Sequence, residues 1–317
     1  MMTLKHHFGR TLDRPGAPLH FAAHSHHPWP DATFEAQQAY WYDSARLLDH
    51  KWDTIFQSVI PAAQGHIARH LSLPDPRTIG FAPNTHSLLL RLLSATHGLP
   101  KHNVLSTDSE FHSFTRQMNR LTEDELVNLV RVPVEPFPTF GQRFLEALAE
   151  RDDWDLVWFS HVFFNSGFAL TNQDLANILA AIPDRETFAV IDGYHAFMAL
   201  PVDLSPFAGR AFYLGGGYKY AMAGEGVCFM HCPPGYGERP RDTGWYAEFG
   251  ALESARGDAV VYGTDASRFA GATFDPSGLY RLNAVMDWLD AQSLSVTQMH
   301  EYCLELQRIF LDKIAPA

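Results

Sequence analysis

Short apolar runs alternate with stretches of helical pattern from residue 78 onward, and this alternation limits the folds open to the chain. The runs are TIGFA, NVLS, WDLVWFS, TFAVID, AFYLGG and GVCFMH. The first three are each followed by a segment with helical spacing of its apolar residues. The pattern predicts crossover units, and therefore an α/β fold with a mainly parallel sheet and helices on its faces. The pattern of residues 31–70 predicts a long helical layer that precedes the strands of this sheet in the sequence.

The composition of the chain limits the classes of molecule that it can bind. A chain of 317 residues, 46% of them hydrophobic, can bury a large core. A formal net charge of −12 argues against nucleic acid and anionic membranes, since both need a basic surface. No run approaches the roughly 20 apolar residues of a membrane span, and no apolar leader is evident. We expect a cytoplasmic protein that acts on a small molecule and holds no metal.

A single lysine follows the run at 211–216, in the sequence YLGGGYKYAMAGEGVCFM. Glycines on both sides let backbone approach a ligand closely. A lysine in a crowded, partly desolvated pocket loses its proton more easily and can attack a carbonyl carbon. Lys219 is therefore the candidate nucleophile, and the alternative is a surface lysine in a glycine turn.

Two polar residues follow the preceding run, in TFAVIDGYHAF. Asp192 stands at the end of this predicted strand, and His195 follows three residues later. A carboxylate there can stabilise a protonated ring nitrogen of a cofactor, and His195 could lie near the same ring. The alternatives are a turn cap for Asp192 and a structural role for His195.

Two further segments could contact a cofactor. In GFAPNTHSLLLRLL, Thr85 and His86 stand at a strand-to-helix junction, where backbone N–H groups can bind phosphate. Simple capping of the helix predicts the same residues. In STDSEFHSF, Phe111 could stack on an aromatic ring, or it could be a core residue.

The order and spacing of these segments resemble the class V aminotransferases, pyridoxal-phosphate enzymes of fold type I with an aspartate-aminotransferase-like architecture. The Tyr-Lys-Tyr string is most similar to the kynureninase branch, and the resemblance runs from about Leu19 to about Trp288. It implies pyridoxal 5'-phosphate as a Schiff base on Lys219, with Asp192 at the pyridine nitrogen and His195 at the ring hydroxyl. It also implies a phosphate site that includes Tyr218, Thr85 and His86, and Phe111 stacked on the ring.

Other segments resemble the same family less closely. SHVFFNSGF implies Asn165 near a cofactor oxygen, and DTGWYAEF implies Trp245 near the substrate ring. RFAGATFD implies that Thr273 reaches the phosphate across the interface of a homodimer.

The N-terminal segment LHFAAHSHHPWP lies where the kynureninase branch has a stretch facing the substrate. His24, Ser25 and His26 are therefore candidate substrate contacts, and a solvated histidine-rich loop is the alternative. The implied organisation is an N-terminal segment at 1–40, a large cofactor-binding domain at 41–275 and a partial small C-terminal domain at 276–317. No arginine in the C-terminal segment can be assigned to a substrate carboxylate by motif.

The reaction that the resemblance implies is hydrolytic cleavage between the β and γ carbons of a kynurenine-type amino acid. Aminotransfer or another elimination is the alternative with the same cofactor, and a protein that binds the cofactor without turnover is another. The histidines at 20, 24, 26 and 27 suggest a metal-dependent hydrolase, but no HExxH pattern accompanies them. A desulfurase needs a reactive thiol after Lys219, whereas we expect all three cysteines, Cys228, Cys232 and Cys303, to be buried.

Overall fold

The computed structural model describes residues 4–13, 15–16, 19–96, 101–182, 186–251 and 259–314. Within these ranges, seven strands form one sheet in the order β1-β7-β6-β5-β4-β2-β3. The strands are β1 (Ile79–Ala82), β2 (His102–Thr107), β3 (Val127–Val132), β4 (Leu156–Ser160), β5 (Phe188–Asp192), β6 (Ala211–Gly216) and β7 (Cys228–His231). The α/β fold with a mainly parallel sheet is thereby confirmed.

Helices cover both faces of the sheet. They are α1 (Gly9–Leu12), α2 (Ala32–Leu47), α3 (Lys51–Thr54), α4 (Ile60–His70), α5 (Thr85–Ala95), α6 (His112–Glu123), α7 (Phe140–Ala149), α8 (Asn172–Ala181), α9 (Ser277–Ala291) and α10 (Val296–Ile314). The predicted helical layer at 31–70 corresponds to α2, α3 and α4, with a π segment, Ile55–Val59, between the last two. Two core clusters, one on each face of the sheet, hold these layers together.

Strand direction decides where functional side chains meet. Strands β3, β2, β4, β5 and β6 run parallel, whereas β7 runs antiparallel to both β6 and β1. The register pairs Gly216 at the end of β6 with Cys228 at the start of β7, and Ala82 at the end of β1 with the same cysteine. The carboxyl ends of β1, β2, β4, β5 and β6 therefore share one edge of the sheet with the beginning of β7.

All six predicted strands are present, whereas strand β3 and helix α7 fall outside the predicted alternation of strands and helices. Strand β3 is an edge strand in which Asn128 and Arg131 interrupt the apolar sequence and only two of the six residues are buried. It therefore lacks the continuous apolar run typical of central parallel strands. Helix α7 is amphipathic and buries Phe140, Phe144 and Leu148.

The division at residue 275 stays a prediction. Helix α9 lies beyond it, yet Leu279, Leu282 and Val285 belong to the same core cluster as residues of the sheet. In contrast, α10 buries none of its side chains. None of the helices in the part of the chain that is described has the length and apolarity that a membrane crossing requires.

Candidate active site

A cavity of about 510 Å³ opens at the carboxyl edge of the sheet. Loops after several strands reach it, as expected for parallel sheets. Seven of the residues singled out in the sequence line this cavity: Ser25, Thr85, Phe111, Asp192, His195, Tyr218 and Lys219. The fold thus brings together side chains separated by almost two hundred residues.

The Lys219 amine lies in this cavity next to His195. The distance from Nζ of Lys219 to Nε2 of His195 is 2.6 Å, and Nζ also donates to the main-chain oxygen of His24 at 3.3 Å. Burial lowers the pKa of Lys219 from its ordinary value, while the charge of Asp192 opposes this shift. Burial, and then the charge of Lys219, lower the pKa of His195 to about 4. At neutral pH the imidazole is therefore uncharged and can accept a hydrogen bond from the amine.

Asp192 ends β5 with a buried carboxyl group. Its Oδ1 accepts a hydrogen bond from the backbone N–H of Tyr194 at 2.9 Å. Burial raises the pKa of Asp192 to about 6, while that hydrogen bond and the charge of Lys219 act in the opposite direction. A buried carboxylate without a full counter-charge favours a cationic partner in the cavity.

Aromatic rings form one wall of the cavity. Phe111 and Phe164 meet edge to face, with ring centroids 5.4 Å apart, and Phe164 lies 6.3 Å from the ring of His195. The Lys219 amine is 5.7 Å from the centre of the Phe111 ring. Such a wall can pack against a flat cofactor.

The N-terminus of α5 provides a site of a different kind. Asn84 caps the helix by accepting from the backbone N–H of Ser87 at 2.9 Å, and Thr85 begins the helix and lines the cavity. Backbone N–H groups in a first helical turn have no partner within the helix, so they favour an anion such as phosphate. His86 instead lines a separate surface depression with His112.

A buried carboxyl group that the sequence analysis does not include lies behind the cavity. Glu110 accepts hydrogen bonds from the hydroxyl of Thr107 at 2.7 Å and from the backbone N–H of Ser160 at 3.1 Å. Its other oxygen lies 2.7 Å from the Ser160 hydroxyl, and Ser160 itself lines the cavity and pairs with Asp192 in the sheet. Burial raises the pKa of Glu110 to about 7.

The N-terminal segment is held against the turn that follows Lys219. Gly224 has φ +74°, and a Cβ there would lie 2.3 Å from the ring of Trp29, so only glycine fits. Arg281 of α9 donates to the main-chain oxygens of Ala223 at 2.7 Å and Glu225 at 2.6 Å. Its guanidinium also lies 5.5 Å from the Trp29 ring centre. These contacts hold the turn in place beside the cavity.

Several of the expected site residues lie outside the cavity in this chain. Asn165 is exposed, and its neighbour Phe164 faces inward instead. Trp245 donates from its indole nitrogen to the Thr273 hydroxyl at 2.8 Å, but neither lines the cavity. The proposed role of Thr273 across a dimer interface stays a prediction.

The histidines of the histidine-rich loop lie at different places around the cavity. His24 lines a second, neighbouring cavity, and Nδ1 of His26 lies 3.4 Å from the Tyr218 hydroxyl. These histidines do not gather around a common point: among the described residues, three potential metal ligands meet only at His66, Asp287 and Asp290. The metal-dependent hydrolase therefore has no support from the histidine-rich loop.

The expectation of three buried cysteines is wrong for one of them. Cys228 and Cys232 are buried, and burial raises the pKa of each thiol to about 12. Cys303 is exposed, because it lies on α10, none of whose residues is buried.

The residues of the cavity fit pyridoxal phosphate. A lysine amine with a lowered pKa, a buried carboxylate, an aromatic wall and a helix N-terminus are the groups that its aldehyde, ring nitrogen, ring face and phosphate each require. The fold and the site thus define a pyridoxal-phosphate protein of fold type I.

Comparison with known proteins gives the family. Residues 22–317 match the model of the Aminotransferase class-V family, and the chain belongs to that family. Members of this family use pyridoxal phosphate, so the expected family and cofactor are confirmed. The kynureninase branch is not shown by the comparisons.

Three similar proteins illustrate the range of reactions. Isopenicillin N epimerase of Streptomyces clavuligerus is 27% identical over 229 residues, which is 70% of this chain and 55% of that protein. A probable cysteine desulfurase of Vibrio cholerae serotype O1 is 21% identical over 255 residues, 79% of this chain and 61% of that protein. The chain thus spans little more than half the length of these curated relatives. A solved lysine-to-alanine mutant of C-DES, with glycine covalently linked to its pyridoxal-phosphate cofactor, superimposes with a TM-score of 0.76 at 18% identity, covering 95% of this chain and 77% of that one.

Proposed function

We propose that this protein is a pyridoxal-phosphate enzyme that moves the α proton of an amino-acid substrate with Lys219. The observation that carries this proposal is the 2.6 Å contact between the Lys219 amine and an uncharged His195 in a cavity that also contains the Asp192 carboxylate. An amine acts as a general base only after it has lost its extra proton, and burial lowers the pKa of Lys219, which makes that loss easier.

Each cavity residue has a part in this reaction. When bound, pyridoxal phosphate supplies a carbonyl carbon for amines to attack and a ring that accepts electrons. Asp192 would hold the ring nitrogen in its protonated form, and Thr85 with the first turn of α5 would hold the phosphate. Phe111 would cover the ring and Tyr218 would add a phenolic donor. Lys219 takes the proton from the α carbon and can return it elsewhere, while His195 orients the lysine.

Within this class we propose hydrolytic Cβ–Cγ cleavage of a kynurenine-type amino acid. The Tyr218-Lys219-Tyr220 string supports this choice, and so does the placement of Ser25 in the cavity. Hydrolysis needs no enzyme thiol. That agrees with the high pKa of Cys228, which lines the cavity but is almost entirely protonated at neutral pH.

Epimerisation or elimination at the same α carbon is the second candidate, because one similar protein is named an epimerase and C-DES is described in another solved structure as a cystine C-S lyase. All of these reactions begin with loss of the α proton. They differ in products: alanine with an aromatic acid, a D-amino acid, or a keto acid.

Exchange of the α proton in deuterated water tests the proposal independently of the product. We expect the protein with added pyridoxal phosphate to exchange the α proton of L-kynurenine or another amino acid, as followed by proton NMR. Lys219→Ala should lose exchange by a factor of about 10² to 10⁴, while the exposed Lys101→Ala should keep it. Exchange that survives in Lys219→Ala contradicts the assigned role. The products that accumulate then decide between the two candidates.

A further inference from the structure

A second cavity, of about 640 Å³, lies next to the first. Its volume is larger than the amino and carboxyl groups of an amino acid would occupy. Five parts of the chain form it: the N-terminal segment with Phe21 and Ala23, the loop after β5 with Met198 and Ala199, the segments after β4 and β6, and the C-terminal helices with Trp288. Its size falls within the range of small-molecule pockets, about 300 to 1,000 Å³. We refer to it as the apolar chamber.

The apolar chamber borders the candidate catalytic lysine. His195 lines both cavities, and its Nε2 is 2.6 Å from the Lys219 amine. His24 also lines the chamber, and its main-chain oxygen accepts a hydrogen bond from the same amine at 3.3 Å. The amine therefore lies at the boundary between the two cavities, where the α carbon of a substrate must also come.

The residues that line the apolar chamber determine which substrate side chains can bind there favourably. Aromatic, aliphatic and methionine residues predominate, and no Asp, Glu, Lys or Arg of the described residues lines it. The polar residues of the lining include histidines at positions 24, 27, 195 and 300 and glutamines at positions 298 and 307. A charged side chain entering this space would lose part of its hydration, and burial lowers the pKa of His27 and His195, so these two imidazoles do not supply a full counter-charge. An apolar side chain would gain contact area.

We propose that the apolar chamber receives the side chain of the substrate, and that the enzyme selects amino acids with a bulky apolar or aromatic side chain. This inference rests on the proposed function, because it needs an amino acid bound at Lys219. The first cavity then holds the cofactor, and the chamber determines which substrate is chosen.

Binding of an amino-acid series to the cofactor-loaded protein tests this assignment. L-phenylalanine, L-kynurenine, L-alanine and L-aspartate are titrated, and the change in visible absorbance gives each Kd. We expect phenylalanine and kynurenine to bind at least about tenfold more tightly than alanine, since one methylene in an apolar pocket changes selectivity roughly 10- to 200-fold. Aspartate should bind most weakly.

Two variants, at positions in different parts of the chain, reduce the volume of the chamber. Ala199→Leu and Ala23→Leu should each weaken phenylalanine binding about tenfold while leaving alanine binding unchanged, and either one suffices if the other does not fold. Ala62→Leu makes the same change at an exposed position of α4 and serves as the matched control.

Equal affinities for alanine and phenylalanine in the unaltered protein overturn the assignment, and so does unchanged phenylalanine binding in both chamber variants. If the cofactor band forms and one of these two results is obtained, only the assignment of the chamber fails and the proposed function still stands. If no borohydride-sensitive cofactor band forms at all, the proposed function fails, and this inference fails with it.

Discussion

The Nζ atom of Lys219 and the Nε2 atom of His195 lie 2.6 Å apart in a cavity where burial disfavours a charge on either group. One hydrogen can be shared between them, but two positive charges at this distance repel strongly. The pair therefore keeps one side chain uncharged, and the low pKa of His195 identifies it as that one.

Removal of the lysine charge should raise the pKa of His195. In Lys219→Met, the pKa should move from about 4 only part of the way toward the ordinary value of 6.5, because burial, the larger cause, remains. Histidine signals in NMR spectra recorded against pH measure this. His231 is the internal control, because burial lowers its pKa to about 4 without a contribution from Lys219. An unchanged His195 pKa would show that the two groups are not coupled.

Neutralising Asp192 should slow proton exchange without unfolding the protein. Asp192→Asn keeps an oxygen that can accept from the Tyr194 backbone N–H, but it removes the charge that stabilises a protonated ring nitrogen. A hydrogen bond to a charged group is worth about 1.5 to 3 kcal/mol, so exchange should fall by about ten- to a hundredfold. Asp203→Asn, at an exposed turn, should exchange at the unaltered rate. Equal rates in the two variants would remove Asp192 from the mechanism.

Glu110 should make stability depend on pH in a definite direction. The folded protein holds the Glu110 proton up to a pH of about 7, whereas the ordinary value is 4.5. Between these values the folded state binds more protons than the unfolded state, so the free energy of unfolding falls as the pH rises. Below pH 4.5 the stabilisation is fully present, and it is lost as the pH passes 7.

The variant Glu110→Gln isolates this effect, because glutamine has a similar shape and does not titrate. The unaltered protein should lose up to about 3 kcal/mol relative to the variant between pH 4.5 and pH 7.5. Urea unfolding of the cofactor-free protein at several pH values gives the difference. A difference that stays constant across this range would mean that Glu110 is ionised throughout.

Arg281 should stabilise the turn that follows Lys219. Arg281→Met removes the donor to the main-chain oxygen of Ala223, which is buried, and to that of Glu225, which is an exposed residue. An unsatisfied buried acceptor costs roughly 1 to 3 kcal/mol, and water can satisfy an exposed one, so we expect the free energy of unfolding to fall by about 1 to 3 kcal/mol. Arg308→Met, on the exposed surface of α10, should change it little. A small effect at Arg281 would show that water replaces the guanidinium at this turn.

Much of the site could be predicted because its residues follow apolar strands directly. Asp192 ends β5, and Lys219 follows β6 after the glycines. Since the carboxyl ends of neighbouring parallel strands share an edge, their closeness follows from the strand pattern alone.

The remaining features depend on contacts that sequence spacing does not reveal. The burial of Glu110 depends on Ser160, fifty positions away. In the segment SHVFFNSGF, the turn with Gly167 at φ +72° directs Phe164 into the cavity and leaves Asn165 exposed. Cys303 lies in a helical segment with several apolar residues, yet none of the residues of α10 is fully buried.

The most direct test of the central claim is to locate the lysine that binds the cofactor. The chain has five lysines, and in the part that the structure describes only Lys219 lines the cavity. After incubation with pyridoxal phosphate and reduction with borohydride, peptide mass mapping should place the adduct on Lys219. The visible band should be absent in Lys219→Ala and present in Lys101→Ala. An adduct that remains in Lys219→Ala with an unchanged band, or labelling spread evenly over the lysines, would contradict the account.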